Sequence, residues 1–167
     1  MRIEDCGISA GTEFTVEFYE VDSMEVVWHG NYVNYLERAR RALLDHIGYG
    51  YGEMKESGYA FPVTGLSLKF IRPLRFGDRV RARAVLEEYE NRIRIKYELF
   101  NAVTGELTTR GTSTQMAIDM VKGESRFTCP RVFIDRVERL LEVKAQAAGE
   151  RAGQNGDAQT PEGTSEF

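Results

Sequence analysis

Between residues 12 and 21 the chain reads TEFTVEFYEV, with Phe14, Val16 and Phe18 on one parity and Thr15, Glu17 and Tyr19 on the other. That alternation is the period of a half-buried strand. Continued to its end, it places Glu20 and Asp22 on the apolar face, so a carboxylate is aimed inward, where it must be paired or used. From Asn31 to Ile47 the period lengthens. Tyr32, Tyr35, Leu36, Ala39, Leu43, His46 and Ile47 recur at helical spacing and fill an arc of roughly 200°, the mark of a helix largely enclosed by other structure. Asn34, Glu37, Arg38, Arg41 and Asp45 share the other side. Asn31 is a suitable N-cap and Gly48 a suitable residue just past the C-terminus.

A glycine-punctuated connection, GYGYGEMKESGYAFP, follows with one helical turn expected around Tyr51 to Glu56. Three strand-like runs come next, carried by Leu66, Leu68 and Phe70, by Val80, Ala82, Ala84 and Leu86, and by Ile93, Ile95, Tyr97 and Leu99. A fifth run, rich in Thr, extends from Glu106 to Met120, and turn signals separate the runs. One early helix with four consecutive antiparallel strands after it predicts an α+β domain, a curved sheet packed around a single long helix. Past Pro130 an amphipathic helix is expected to about Ala148. The resulting domain spans residues 1–147, and residues 148–167, without apolar periodicity, are expected to form a disordered tail.

Composition narrows the chemistry. The length of 167 residues suits one domain. A net charge of −4 gives no overall attraction to nucleic acid. His29 and His46 are the 2 histidines and Cys6 and Cys129 the 2 cysteines, too few and too scattered for a metal cluster. No cofactor or metal is called for. No apolar run approaches the roughly 20 residues that span a bilayer, and the N-terminus lacks the pattern of a secretory signal. The expectation is a cytosolic chain with reduced thiols and no membrane partner.

Familiar motifs fail. Gly48-Tyr-Gly50-Tyr-Gly52 follows a helix instead of opening one, and Gly65-Leu-Ser67-Leu-Lys69 and Gly111-Thr-Ser113-Thr-Gln115 each lack the second glycine of a serine-hydrolase elbow. What survives is Val21 to Tyr32, which joins the inward carboxylate to the N-terminus of the long helix. Unpaired N–H groups there can polarise a carbonyl and hold the oxyanion formed on attack. Asp22 can return to the same point as nucleophile or as the base that activates water. Alternatively, Asp22 only satisfies backbone donors in a loop.

Asp22-Ser-Met-Glu-Val-Val-Trp28-His29-Gly30-Asn-Tyr32, followed by Tyr35-Leu-Glu37-Arg-Ala-Arg40, resembles the signature of the 4-hydroxybenzoyl-CoA thioesterase type of hotdog-fold acyl-CoA thioesterases. The resemblance covers about residues 12 to 120. It implies a hotdog fold and hydrolysis of an acyl-CoA or acyl-carrier-protein thioester. Asp22 would act as nucleophile or general base, and the backbone amide at His29 would contribute to the oxyanion hole. Trp28, Gly30 and Tyr32 would line the substrate site, and the imidazole of His29 would orient Asp22 or water if it acts at all. Glu25 stands where this family often has glycine, a departure that bears on how closely the backbone approaches the substrate.

Other residues have plainer roles. Glu37 is expected to pair with Arg41, and His46 to be a satisfied core histidine. Arg79, Arg81, Arg83, Arg92, Arg94 and Lys96 share the outer sheet face. They should recruit acids such as Glu87 and Glu98, or the phosphates of coenzyme A, with Arg92 and Arg94 as candidate ligands and Arg72 and Arg75 nearby. A single copy covers its helix on one side only, so a homodimer or homotetramer with sites at the interface is expected. A non-hydrolytic acyl-thioester binding or scaffold protein of the same fold is the alternative, and a dehydratase, lacking a His–acid pair, a weaker third.

Overall fold

Residues Asn31–Ile47 form helix α1, which buries Tyr32, Tyr35, Leu36, Ala39, Leu43, Leu44 and Ile47. The computed structural model describes residues 5–156. Helix α1 ends at Gly48, whose φ of 80° is open to glycine at little cost and returns its N–H to the Asp45 carbonyl. Its first turn differs from expectation: Gly30 is the N-cap, and Asn31 uses its side-chain amide as a donor to the Glu20 carbonyl, 2.8 Å away.

Around α1 runs the chain order β1 (Ser9–Thr15), a 3₁₀ turn (Phe18–Glu20), α1, α2 (Tyr51–Ser57), β2 (Tyr59–Ala60), β3 (Val63–Phe70), β4 (Arg79–Glu88), β5 (Ile93–Asn101), β6 (Leu107–Gln115), β7 (Ile118–Asp119), β8 (Glu124–Ser125) and α3 (Arg131–Gly156). The main sheet has the order β1-β4-β5-β6-β3 and the small one β2-β7-β8, with antiparallel pairing throughout. The inner face of the main sheet presents Val80, Ala82, Ala84, Ile95, Tyr97 and Leu99, all buried. This is the expected α+β architecture of a curved antiparallel sheet wrapped around one long helix. Small residues let the helix approach: a Cβ on Gly111 would fall 3.0 Å from Leu36 Cδ1.

Several expectations are corrected. The first strand stops at Thr15, because its partner strand begins at Arg79, opposite Thr15; beyond that pair no ladder remains, and the Val16 N–H goes to the Asp78 carbonyl instead. The fifth run is divided, with β6 ending at Gln115 and Ile118–Asp119 leaving for the small sheet. His46 is exposed, not core-facing, because it sits at the edge of the apolar arc where no element covers it. Glu37 pairs with Arg40 at 2.5 Å, and Arg41 pairs with Asp45. Helix α3 runs to Gly156, past the end expected near Ala148; the rest of the expected tail, residues 157–167, lies outside the described residues. Among the described residues no helix is long and apolar enough to cross a membrane.

Candidate active site

The loop between the 3₁₀ turn and α1 is a small hairpin. Val21 bridges Val27, the Asp22 N–H donates to the Val26 carbonyl at 2.8 Å, and the Glu25 N–H donates to the Asp22 carbonyl at 2.9 Å. Such three-residue hairpin loops place their last residue in the left-handed region. Here that residue is Glu25, with φ 62°, the only non-glycine residue at positive φ among those described. A glycine at this position would hold the same turn without a Cβ in the left-handed region. Asp22 Oδ1 accepts the Met24 N–H at 2.8 Å, so the carboxylate both shapes the turn and faces the cleft described next.

A cleft of about 310 Å³ is lined by Asp22, Met24, Val26, Val27, His29 and Tyr32 from the hairpin and the start of α1, and by Phe70, Ile71, Arg72 and Pro73 from the end of β3. The Tyr32 and Phe70 rings meet edge-on, 4.9 Å between centroids. The Val27 N–H donates to the Leu74 carbonyl at 2.8 Å, fixing the hairpin to the segment after β3. Burial is the main cause that raises the Tyr32 phenol above its ordinary pKa, so Tyr32 stays neutral beside the cleft.

At the head of α1, the Trp28 N–H donates to the Glu20 carbonyl, the Asn31 N–H to the Trp28 carbonyl and the Tyr32 N–H to the His29 carbonyl. The N–H groups of His29 and Gly30 have no protein acceptor among the described residues. Two free donors thus stand at the positive end of a helix of 17 residues, with Asp22 on the same cleft. Such donors suit an oxyanion. The indole of Trp28 covers Gly30, leaving no room for a Cβ, and its ring lies 5.1 Å from that of His29. Of the residues expected at the site, Asp22, His29 and Tyr32 line the cleft, whereas Trp28 and Gly30 adjoin it in sequence and do not line it.

Arg92 and Arg94 are not gathered there. Arg94 pairs in register with Thr114 on the outer face, whereas Phe70 is carried through Thr109 to Leu99. That places Arg94 about 17 Å farther along β5, at ~3.3 Å per residue. Each has its own acid, Arg92 with Glu88 at 2.9 Å and Arg94 with Glu87 at 3.0 Å. The rest of the basic stripe is paired less fully: Arg79 and Arg81 share Glu13, and Arg83 and Lys96 share Glu98. The cation on the cleft is Arg72, which also approaches Glu106 at 3.5 Å.

Sequence reasoning missed the Phe70–Pro73 wall, which only the Arg-Pro break after a strand hinted at. It also left Glu20 without a role. Glu20 is 6 % exposed, and its Oε2 accepts the Tyr35 hydroxyl at 2.9 Å and the Glu17 N–H at 2.8 Å. Burial first, then the bond to Glu20, pushes the Tyr35 phenol well above its ordinary pKa.

Comparison with known proteins bears on the family and the fold. Residues 16–148 match the Thioesterase-like superfamily. The Bacillus subtilis protein YneP, provisionally named an acyl-CoA thioesterase, is 30% identical over 64% of this chain and 78% of its own. The DHNA-CoA thioesterase of Staphylococcus aureus superposes with a TM-score of 0.66 at 26% identity, covering 92% of this chain and 97% of that one. A hypothetical protein of Thermus thermophilus superposes at 0.71 with 30% identity, covering 78% and 98%.

Proposed function

Because the chain belongs to the thioesterase-like superfamily of hotdog proteins, we propose that it hydrolyses an acyl-CoA or acyl-carrier-protein thioester to the free acid and thiol. One observation supports this most directly: Asp22 lines the same cleft as His29, whose N–H, like that of its neighbour Gly30, is free at the head of α1. The thioester carbonyl oxygen points at the His29 and Gly30 N–H groups. As base, Asp22 takes a proton from water while the water oxygen bonds to the carbonyl carbon. The oxyanion collapses, the C–S bond breaks, and the thiolate leaves to be protonated. As nucleophile, Asp22 bonds to the carbonyl carbon itself and the C–S bond breaks to release the thiolate; water then attacks the Asp22 carboxyl carbon of the mixed anhydride, freeing the acid and regenerating the carboxylate. Tyr32 and Phe70 form the walls, and the Asp22-to-Arg40 segment supports placement with the 4-hydroxybenzoyl-CoA type.

A second copy is expected along β3. This edge strand is exposed over nearly its whole length, with Leu66 46% and Phe70 51% exposed, while the outer sheet face is an ion-paired polar surface. An unpaired apolar edge is a template for another strand, and a copy related by a twofold axis is self-complementary. It would lie against the Phe70 side of the cleft.

The test is thiol release from a panel of acyl-CoA and acyl-carrier-protein thioesters. Asp22→Asn is expected to lower turnover on the order of 10²–10⁴-fold, the usual contribution of a positioned acid–base group. Turnover unchanged by that substitution would refute the mechanism. Tight binding without turnover by the unaltered protein would instead favour a non-hydrolytic binding protein, in which Asp22 serves only the turn through Met24. A single turnover in ¹⁸O water separates the two routes, since only the nucleophilic one leaves label in Asp22.

A further inference from the structure

We propose that Glu20 and Tyr35 are a positioning pair that sets the two free amides at the head of α1. The proposal rests on the thioesterase assignment for its kinetic consequence and on geometry for the rest. Glu20 is the one charged side chain among the buried described residues, and it is used at both ends. Its carbonyl accepts from the Trp28 N–H at 3.0 Å and from the Asn31 side-chain amide at 2.8 Å. Those two donors stand immediately before and after His29 and Gly30, so one oxygen brackets the free amides. The carboxylate in turn is anchored to α1 through the Tyr35 hydroxyl, one helical turn beyond Asn31.

The anchor matters because the segment leading into the Asp22 hairpin has one other side-chain tie to α1, the Asn31 amide on the Glu20 carbonyl. An apolar side chain at position 20 would fill the same volume without the desolvation cost of a carboxylate. It would lose the link to Tyr35, and the carbonyl that brackets the amides would then be free to shift. A shift on the order of 1 Å at a reacting centre lowers rates by about 10²-fold.

Both side-chain bonds end on the same oxygen, Oε2, which makes the pair separable from charge. Glu20→Gln keeps an amide oxygen able to accept both donors, whereas Glu20→Ala and Tyr35→Phe break the link. Trp28 is the single tryptophan and reports on the bracket directly. The experiment is steady-state kinetics on whichever thioester the unaltered protein turns over, with acrylamide quenching of Trp28 and a thermal midpoint measured on each variant.

Glu20→Ala and Tyr35→Phe should lower kcat by about 10- to 100-fold with KM moving less than about threefold, and Trp28 should become more quenchable. Glu20→Gln should recover kcat to within about threefold and restore native quenching. A lowered midpoint with native kcat and native quenching would make the pair merely structural and overturn the proposal, as would a Glu20→Gln variant as impaired as Glu20→Ala. If Glu20→Ala does not fold, Tyr35→Phe, which removes one hydroxyl, carries the test. If the unaltered protein hydrolyses no thioester, the thioesterase assignment fails by itself and the quenching of Trp28 decides this proposal alone.

Discussion

Replacing Glu25 by glycine should make the protein more stable, although it removes a side chain and loosens the unfolded chain. Glu25 holds φ at 62°, where an L-residue is disfavoured by roughly 1–2 kcal/mol because Cβ crowds the carbonyl. Glycine removes that cost and adds one of about 0.5–1 kcal/mol, since its unfolded state has more freedom to lose. The exposed Glu25 side chain makes no hydrogen bond or ion pair among the described residues that would offset the gain. The balance is a stabilisation of about 0.5–1 kcal/mol, or a midpoint raised by about 1–4 °C for a chain this long. Thermal and urea unfolding at fixed protein concentration measure it, with an unchanged urea slope showing that the native state is altered and not the extent of unfolding. Glu25→Ala keeps the Cβ and should gain nothing, and Glu25→Asn should fall between, because asparagine tolerates the left-handed region better. A Glu25→Gly variant no more stable than the parent, or an equal gain for Glu25→Ala, would show that the turn is not strained.

Three other outcomes are expected. Gly30→Ala puts a Cβ 2.1 Å from Trp28 Cζ3, so the indole must swing off the head of α1; tryptophan emission should shift and thioester turnover fall at least about 10-fold. Burial pushes the Tyr97 phenol from 10.0 and the Cys129 thiol from 9.0, each up to about 12. The unfolded chain therefore releases these protons first, and stability that is complete below pH 9 should fall as pH rises towards 12, by up to ~1.4 kcal/mol per pH unit for each group. Urea midpoints across that range, with Tyr97→Phe and Cys129→Ala flattening the loss, would check the sign. Finally, the unaltered chain should sediment as a dimer or tetramer and Leu66→Arg, at the exposed β3 edge, as a smaller species; a monomeric parent would refute the second copy, and a variant unchanged from an oligomeric parent would place the interface elsewhere.

What could be read from the sequence was whatever local periodicity encodes. The α1 stripe from Tyr32 to Ile47, its glycine stop at Gly48 and the alternation of the β4 and β5 runs each depend on neighbours within a few positions, so the α+β architecture followed from them. The Asp22-to-Tyr32 segment was legible for the same reason, being one contiguous stretch that meets the cleft with its own residues. The charged outer face was legible only in part. Alternation put six cations on one side, but their assignment to Glu13, Glu87, Glu88 and Glu98 depended on strand register, which is set by long-range pairing.

Tertiary structure decided the rest. The order β1-β4-β5-β6-β3 places β3 at an edge and brings Phe70 to Tyr32 across a separation in sequence that no local pattern reports. It ended the first strand at Thr15 for want of a partner, and so turned Glu20 into a buried acceptor for Tyr35. It left His46 uncovered, because an apolar arc records what a helix can bury and not what arrives to cover it. The sequence by itself determined that a carboxylate would stand a few residues before the N-terminus of the long helix. Only the fold decided which of two inward carboxylates lines the cleft and which is buried against Tyr35, because both share a strand parity and differ only in what the rest of the chain packs against them.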